Sequence, residues 1–149
     1  MPTPFESAQL NLKLYDLRRE PVLREARAWF LTDFTPESFE ELLAIVSGPR
    51  NASVRMVLGY WDMAASLVTT GAIDPDAFRQ AHGEIYLTFA KIHPYLSQIR
   101  TATREQDYCK NLEAVVLGDP NAERIMGIRR AAALAAAKAR ASNPPPSVS

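Results

Sequence analysis

Residues that could carry chemistry are sparse in this chain, which has one cysteine and two histidines. The most conspicuous is Asp62, set in the apolar, aromatic-bearing run LGYWDMAASLVTTGAIDP (Leu58–Pro75). A carboxylate placed there is either a ligand-binding or proton-transfer group, or the polar seam of a helix that is mostly core. Winding the segment from Ser53 to Thr70 at about 100° per residue gives an apolar arc over more than half the circumference: Val54, Met56, Val57, Leu58, Tyr60, Trp61, Met63, Ala64, Ala65, Leu67 and Val68. Arg55, Gly59, Asp62, Ser66 and Thr69 share the narrow remainder. A helix so widely apolar belongs in the middle of a bundle. Arg55 and Asp62 are two turns, about 10 Å, apart, and each needs a partner from another helix because a buried unpaired charge is costly. The polar seam is the plainer reading; a ligand-binding Arg55 or Asp62 is the sharper one.

On the segment after Pro75, His82 and His93 lie on one margin of an apolar face made by Phe78, Ala81, Ile85, Phe89, Ile92, Leu96 and Ile99, with Tyr86 alongside. Eleven residues of helix separate them by about 16 Å, too far to chelate one metal together. The zinc-binding pair spaced four apart with a glutamate between is absent. Boundary histidines with satisfied ring nitrogens are expected, or else the lining of a groove. Cys109, beside Tyr108, reads as a small buried hydrophobe. A single cysteine forms no internal disulfide and makes no multi-cysteine zinc site. No GxSxG, phosphate-binding GK[ST] loop or ligand cluster occurs, so no catalytic residue, metal or cofactor is expected.

These residues must be positioned by helices, because every sustained apolar pattern has helical spacing. Leu10, Leu14 and Leu17 form one stripe, Val22, Ala26, Trp29 and Phe30 a second, and Phe39, Leu42, Leu43 and Val46 a third. Thr3–Pro4, Thr35–Pro36, Asp74–Pro75 and Asp119–Pro120 each place a capping oxygen before a proline suited to the first helical position. Glu6 completes a capping box with Thr3. Gly48, Gly71 and Gly118 mark stops. The expected helices span 4–19, 21–32, 36–47, 51–70, 75–101 (bent at Pro94), 105–117 and 120–140. The expectation is an all-α, single-domain bundle of six or seven helices with the Asn51–Thr70 helix at its centre. Residues 1–118 form its core domain, 119–140 a basic alanine-rich helix, and 141–149 a flexible tail.

A chain of 149 residues, 47% hydrophobic and 23% charged, can bury roughly 70% of its unfolded surface without a staple. Net charge is zero, but unevenly spread: five of the 17 basic residues, and only Glu123 of the 17 acidic ones, follow Asp119. The basic helix lacks aromatics for base stacking, so nucleic acid is not an expected partner. Around Leu58–Pro75 the uncharged window runs only from Met63 to Ile73, short of the ~20 apolar residues of a membrane span. The first residues show no basic start followed by an apolar run, so neither a secretory leader nor a transmembrane segment is expected. A cytoplasmic location follows as the expectation.

The stretch LYDLRREPVLREARAWF (Leu14–Phe30), with Pro21, Arg24, Ala26 and Arg27 in a P-x-x-R-x-A-R segment, resembles a bacterial family of helical proteins catalogued only as a domain of unknown function. The likeness continues through VRMVLGYWDMAASLVTTGAID and covers roughly residues 10–117. The resemblance implies a helical fold and brings no activity or site residue with it. Without a catalytic constellation, the leading expectation is a non-enzymatic protein–protein interaction or scaffold module, a homo-oligomer or the partner of another helical protein. A second is a small-ligand pocket near Trp61, Tyr86, His82 or His93 with Arg55 anchoring an anionic group. A third is a C-terminal helix that meets an anionic partner.

Overall fold

In the computed structural model, which describes residues 1–148, the chain is all-helical. Its elements are α1 (Pro4–Leu17), α2 (Pro21–Thr32), α3 (Phe39–Val46), α4 (Asn51–Thr69), α5 (Pro75–Ala81), α6 (Glu84–Ala90), a 3-10 turn (His93–Tyr95), α7 (Leu96–Thr103), α8 (Lys110–Leu117) and α9 (Ala122–Ser142). Nine α-helices among the described residues replace the six or seven expected, chiefly because the long fifth helix does not exist. His82 leaves helical geometry at φ −128°, ψ 53°, with Gly83 next in sequence. Pro94, which lacks an N–H, then sits in the 3-10 turn rather than bending a continuous helix. Phe78, Ile85, Phe89, Ile92 and Leu96 are buried nonetheless, while Ala81 is exposed and Ile99 half-buried. The apolar spacing therefore reports most of the buried face while missing the breaks.

Local caps set several helix starts. Thr3 and Glu6 form the capping box, with Glu6 N–H donating to Thr3 Oγ1 at 3.1 Å and Thr3 N–H to Glu6 Oε2 at 2.8 Å. Asp74 accepts from Ala77 N–H at 2.9 Å. Glu20 caps α2 through both carboxylate oxygens, at Val22 and Leu23. Thr35 is not the cap of α3; Ser38 is, accepting from Glu41 N–H at 3.1 Å. The Thr35–Pro36 pair stays in the loop because the Pro36 carbonyl is held by Tyr95 Oη at 3.1 Å and approached by Arg130 at 3.4 Å. Likewise Pro120 does not open α9, which begins at Ala122. At Gly71 a φ of +85° turns the chain out of α4, and Ala72 and Ile73 N–H both return to the Leu67 carbonyl.

One apolar core joins the helices, with α4 between α2, α3 and α8. Trp61, Ala64, Ala65, Phe30, Phe34, Phe78, Phe89, Leu112 and Val116 are inaccessible to solvent. Leu17, Val22 and Leu43, read as stripe residues, and Met56 and Met63, read into the apolar arc of α4, are exposed. α9 packs along α6, α2 and α8. It buries Ala122 and Met126, and not Ile128, which is 59% exposed. Three of its arginines reach backbone carbonyls across the fold: Arg129 to Gly83, Arg130 to Pro36 and Arg140 to Thr32. Past Ser142, residues 143–148 have no regular structure and Ser149 lies outside the described residues. None of the helices is long and apolar enough to cross a membrane, among the described residues.

Trp61 is the largest side chain with no exposure. Trp61→Ala is expected to lower unfolding free energy by about 3–5 kcal/mol, read by chemical denaturation followed through far-UV circular dichroism. A loss near zero would contradict its place in the core.

Candidate functional site

Asp62 reaches α8. The residue before α8, Cys109, has φ 55° and provides no side-chain cap, so the first-turn amides of α8 need an acceptor from elsewhere. Asp62 Oδ1 accepts from the backbone N–H of Asn111 and of Leu112, each at 3.0 Å, and Oδ2 accepts from Asn111 Nδ2 at 3.3 Å. The carboxylate acts as an N-cap from another helix, facing the positive end of the α8 dipole. Arg100 closes the loop behind it, donating twice to the Tyr108 carbonyl and pairing with Glu113 at 3.1 Å. These clamps hold two non-glycine residues, Arg104 and Cys109, in the left-handed region, a conformation that persists only when its surroundings impose it. Burial, and then the Asp62 charge, push the Cys109 thiol up to about 12. It stays protonated at neutral pH and is no nucleophile there.

The end of α2 is closed by a residue from outside that helix. Lys91 is 3% exposed, and its Nζ donates to the carbonyls of Phe30 and Leu31 at 2.9 Å and of Phe34 at 2.6 Å. An ammonium has three donors; two are used on the last turn of α2, at its negative end, and the third on Phe34 just beyond it. Burial lowers its pKa to about 8, so it remains charged at neutral pH. A single lysine inside LTFAKIHPYL, an otherwise uncharged run, was the available signal.

The histidines are not boundary residues with both nitrogens satisfied. His82 is fully buried against Trp61 and Phe78, ring centroids 5.6 and 4.7 Å away. Its Nε2 pairs with Asn11 Oδ1 at 3.0 Å, while Nδ1 has no partner. That arrangement suits a neutral ring donating through Nε2. Burial, with Arg18 nearby, lowers its pKa to about 4. His93 lies against Phe89 with ring centroids 5.0 Å apart and planes tilted by 39°, and its Nδ1 too is unpartnered. Tyr86 donates to the Asp119 carboxylate beneath the Arg129 guanidinium; burial and that bond raise it to about 12. No group of three or more His, Cys, Asp or Glu suited to a metal occurs among the described residues.

Arg55 stands apart from all of these. It lines a half-open cleft of about 270 Å³ between α3, α4 and α7, walled by Phe34, Leu42, Val54, Leu58, Ile92 and Ile99. The six sequence-derived candidates thus do not gather at one cavity. Arg55 lines the cleft, Asp62 caps α8, Trp61 and His82 touch inside the core, Tyr86 faces Asp119, and His93 opens onto depressions beside α7 and α9. Large rings go where most area is buried, which separates Trp61 and Tyr86 from the arginine. Leu43 and Ala102 at the cleft's rim escaped sequence reasoning because an inter-helix gap has no residue pattern of its own.

Residues 4–118 match the family described as a domain of unknown function (DUF4760). The chain belongs to that family, and the match spans α1 through α8. No curated protein and no solved structure matches the chain.

The buried His82 gives a pH dependence of defined sign. Its folded pKa, about 4, lies below the unfolded value of 6.5, so the unfolded state takes up the proton first as pH falls. Stability from this residue is full above pH 6.5 and is lost between pH 6.5 and 4, with about 2 kcal/mol gone by pH 5. Urea denaturation at pH 7 and pH 5 should show that component in the native chain and lose it in His82→Leu. An equal drop in both would contradict the burial of a neutral ring.

Proposed function

We propose that this chain is a non-catalytic binding module whose working surface is the apolar cleft between α3, α4 and α7, which takes a small apolar ligand. The observation that carries this reading is the cleft itself. Its deep wall is made by Phe34, Leu58 and Ile92, side chains of the core, so the surface is preformed rather than assembled on binding. Concave, mostly apolar sites with few polar groups are where small molecules bind. The absence of a reaction in this proposal rests on where the chemical groups point. Asp62 is engaged with α8 amides, the Cys109 thiol is protonated, and the two histidines occupy separate surroundings.

A second reading, an interaction module for another helix or a second copy, is favoured by α1. Phe5, Leu12 and Tyr15 are 70%, 71% and 49% exposed, at the three- and seven-residue spacing of a helix-pairing face. The cleft is preferred because it is enclosed on several sides and carries a cation at its rim.

Ala102 lines the cleft and is exposed, so Ala102→Trp fills it without emptying the core. A neutral solvatochromic dye is expected to bind the folded native chain saturably, one per chain. The substitution should weaken that binding at least about 10-fold, the 1.4 kcal/mol scale of one lost apolar contact surface, at unchanged Tm. Non-saturable binding, or equal binding by both chains, would contradict the proposal.

A further inference from the structure

We infer that the ligand of this cleft is a free carboxylate with an apolar tail, anchored by Arg55; the inference rests on the proposed role of the cleft. Among the residues lining it, Arg55 is the one charged side chain, and no aspartate or glutamate is present to neutralise it. Arg55 is exposed and takes part in none of the ion pairs among the described residues. The arginines at 18, 27, 50, 79 and 100, by contrast, all pair with acidic groups. The cleft therefore presents an uncompensated cation at the mouth of an apolar hollow.

The helix that carries Arg55 adds to the effect. Asn51, the first residue of α4, lines the same cleft, and no side chain caps that end of the 19-residue helix. The Asn51 N–H is bonded to the Gly48 carbonyl, and the positive end of the α4 dipole has the same sign as Arg55. One guanidinium matches a carboxylate in planar, bidentate fashion, whereas a doubly charged phosphate calls for further cations that the lining lacks. The apolar walls offer no set of acceptors for a sugar or polyol.

Volume limits the tail. A dry apolar cavity of about 150 Å³ holds one benzene ring. The 270 Å³ here corresponds by that measure to two fused rings or to about eight to ten aliphatic carbons. Octanoate and 1-octanol are suitable probes because they share the tail and differ in charge at pH 7.

Isothermal titration of the full chain with each probe tests the inference. Octanoate is expected to bind at least about 10-fold more tightly than 1-octanol, less so at high salt. Arg55→Gln should bring the two to parity by weakening octanoate alone, and Arg55→Lys should restore part of the preference. Arg55 is exposed, so neither variant threatens folding. Equal affinities in the native chain, or a preference that survives Arg55→Gln, would overturn the carboxylate assignment and leave the apolar cleft standing. Binding of neither probe would overturn both.

Discussion

Each end of an α-helix leaves four backbone groups without an intrahelical partner, and the nine α-helices among the described residues multiply that demand. Some helix starts are closed by a side chain beside them, as at Thr3, Glu20, Ser38 and Asp74. Other ends take a partner from another helix. Lys91, at the end of α6, donates to the Phe30 and Leu31 carbonyls of α2 and to Phe34 just beyond it, and Arg140 of α9 reaches the Thr32 carbonyl. Arg27 serves Arg18 at the end of α1, Arg79 serves Val115 near the end of α8, and Asp62 serves its start. Buried backbone groups left unpaired cost about as much as a lost hydrogen bond each. Helix positions are therefore locked to one another by polar contacts as well as by apolar area.

This arrangement explains why the chain's ionisable groups say little about catalysis. Arg27 holds Glu84 as well as the Arg18 carbonyl, and Tyr60 donates to the Leu14 carbonyl from the flank of α4. Charge is concentrated at helix ends, where it has structural work. The cleft beside α3 is different. It combines core-derived apolar walls with an arginine that no helix end occupies, which is why the functional reading settles there. Part of α9 fits the same scheme: Arg129, Arg130 and Arg140, in a helix whose basic sequence suggested an anionic partner, reach carbonyls of the α5–α6 junction, the Pro36 loop and α2.

The sequence revealed the fold to the extent that its signals are local. The caps at Thr3 and Asp74 lie beside the helices they start, and the helix around Trp61 was legible from the width of its apolar arc. Asp62 was visible as a polar residue that needed a partner, but its partner is 49 residues away, beyond any periodicity. The break at His82 was hidden because the apolar spacing continues across it. Lys91 carried a readable mark, one charge in a buried run, whose meaning depends on where α2 ends. Arg55 was legible from its place on the narrow polar arc of α4. Its surroundings were not, since the cleft depends on the distance between α3 and α7 over α4.

The claim that distant side chains close the helix ends is tested most directly at Asp62. Amide hydrogen exchange of Asn111 and Leu112 should be slow in the native chain. In Asp62→Ala it should become fast, with global stability lowered by about 1–2 kcal/mol and the centre of α4 slowed or hastened only as far as global stability dictates. Protection of those two amides that is unchanged by the substitution would contradict the account.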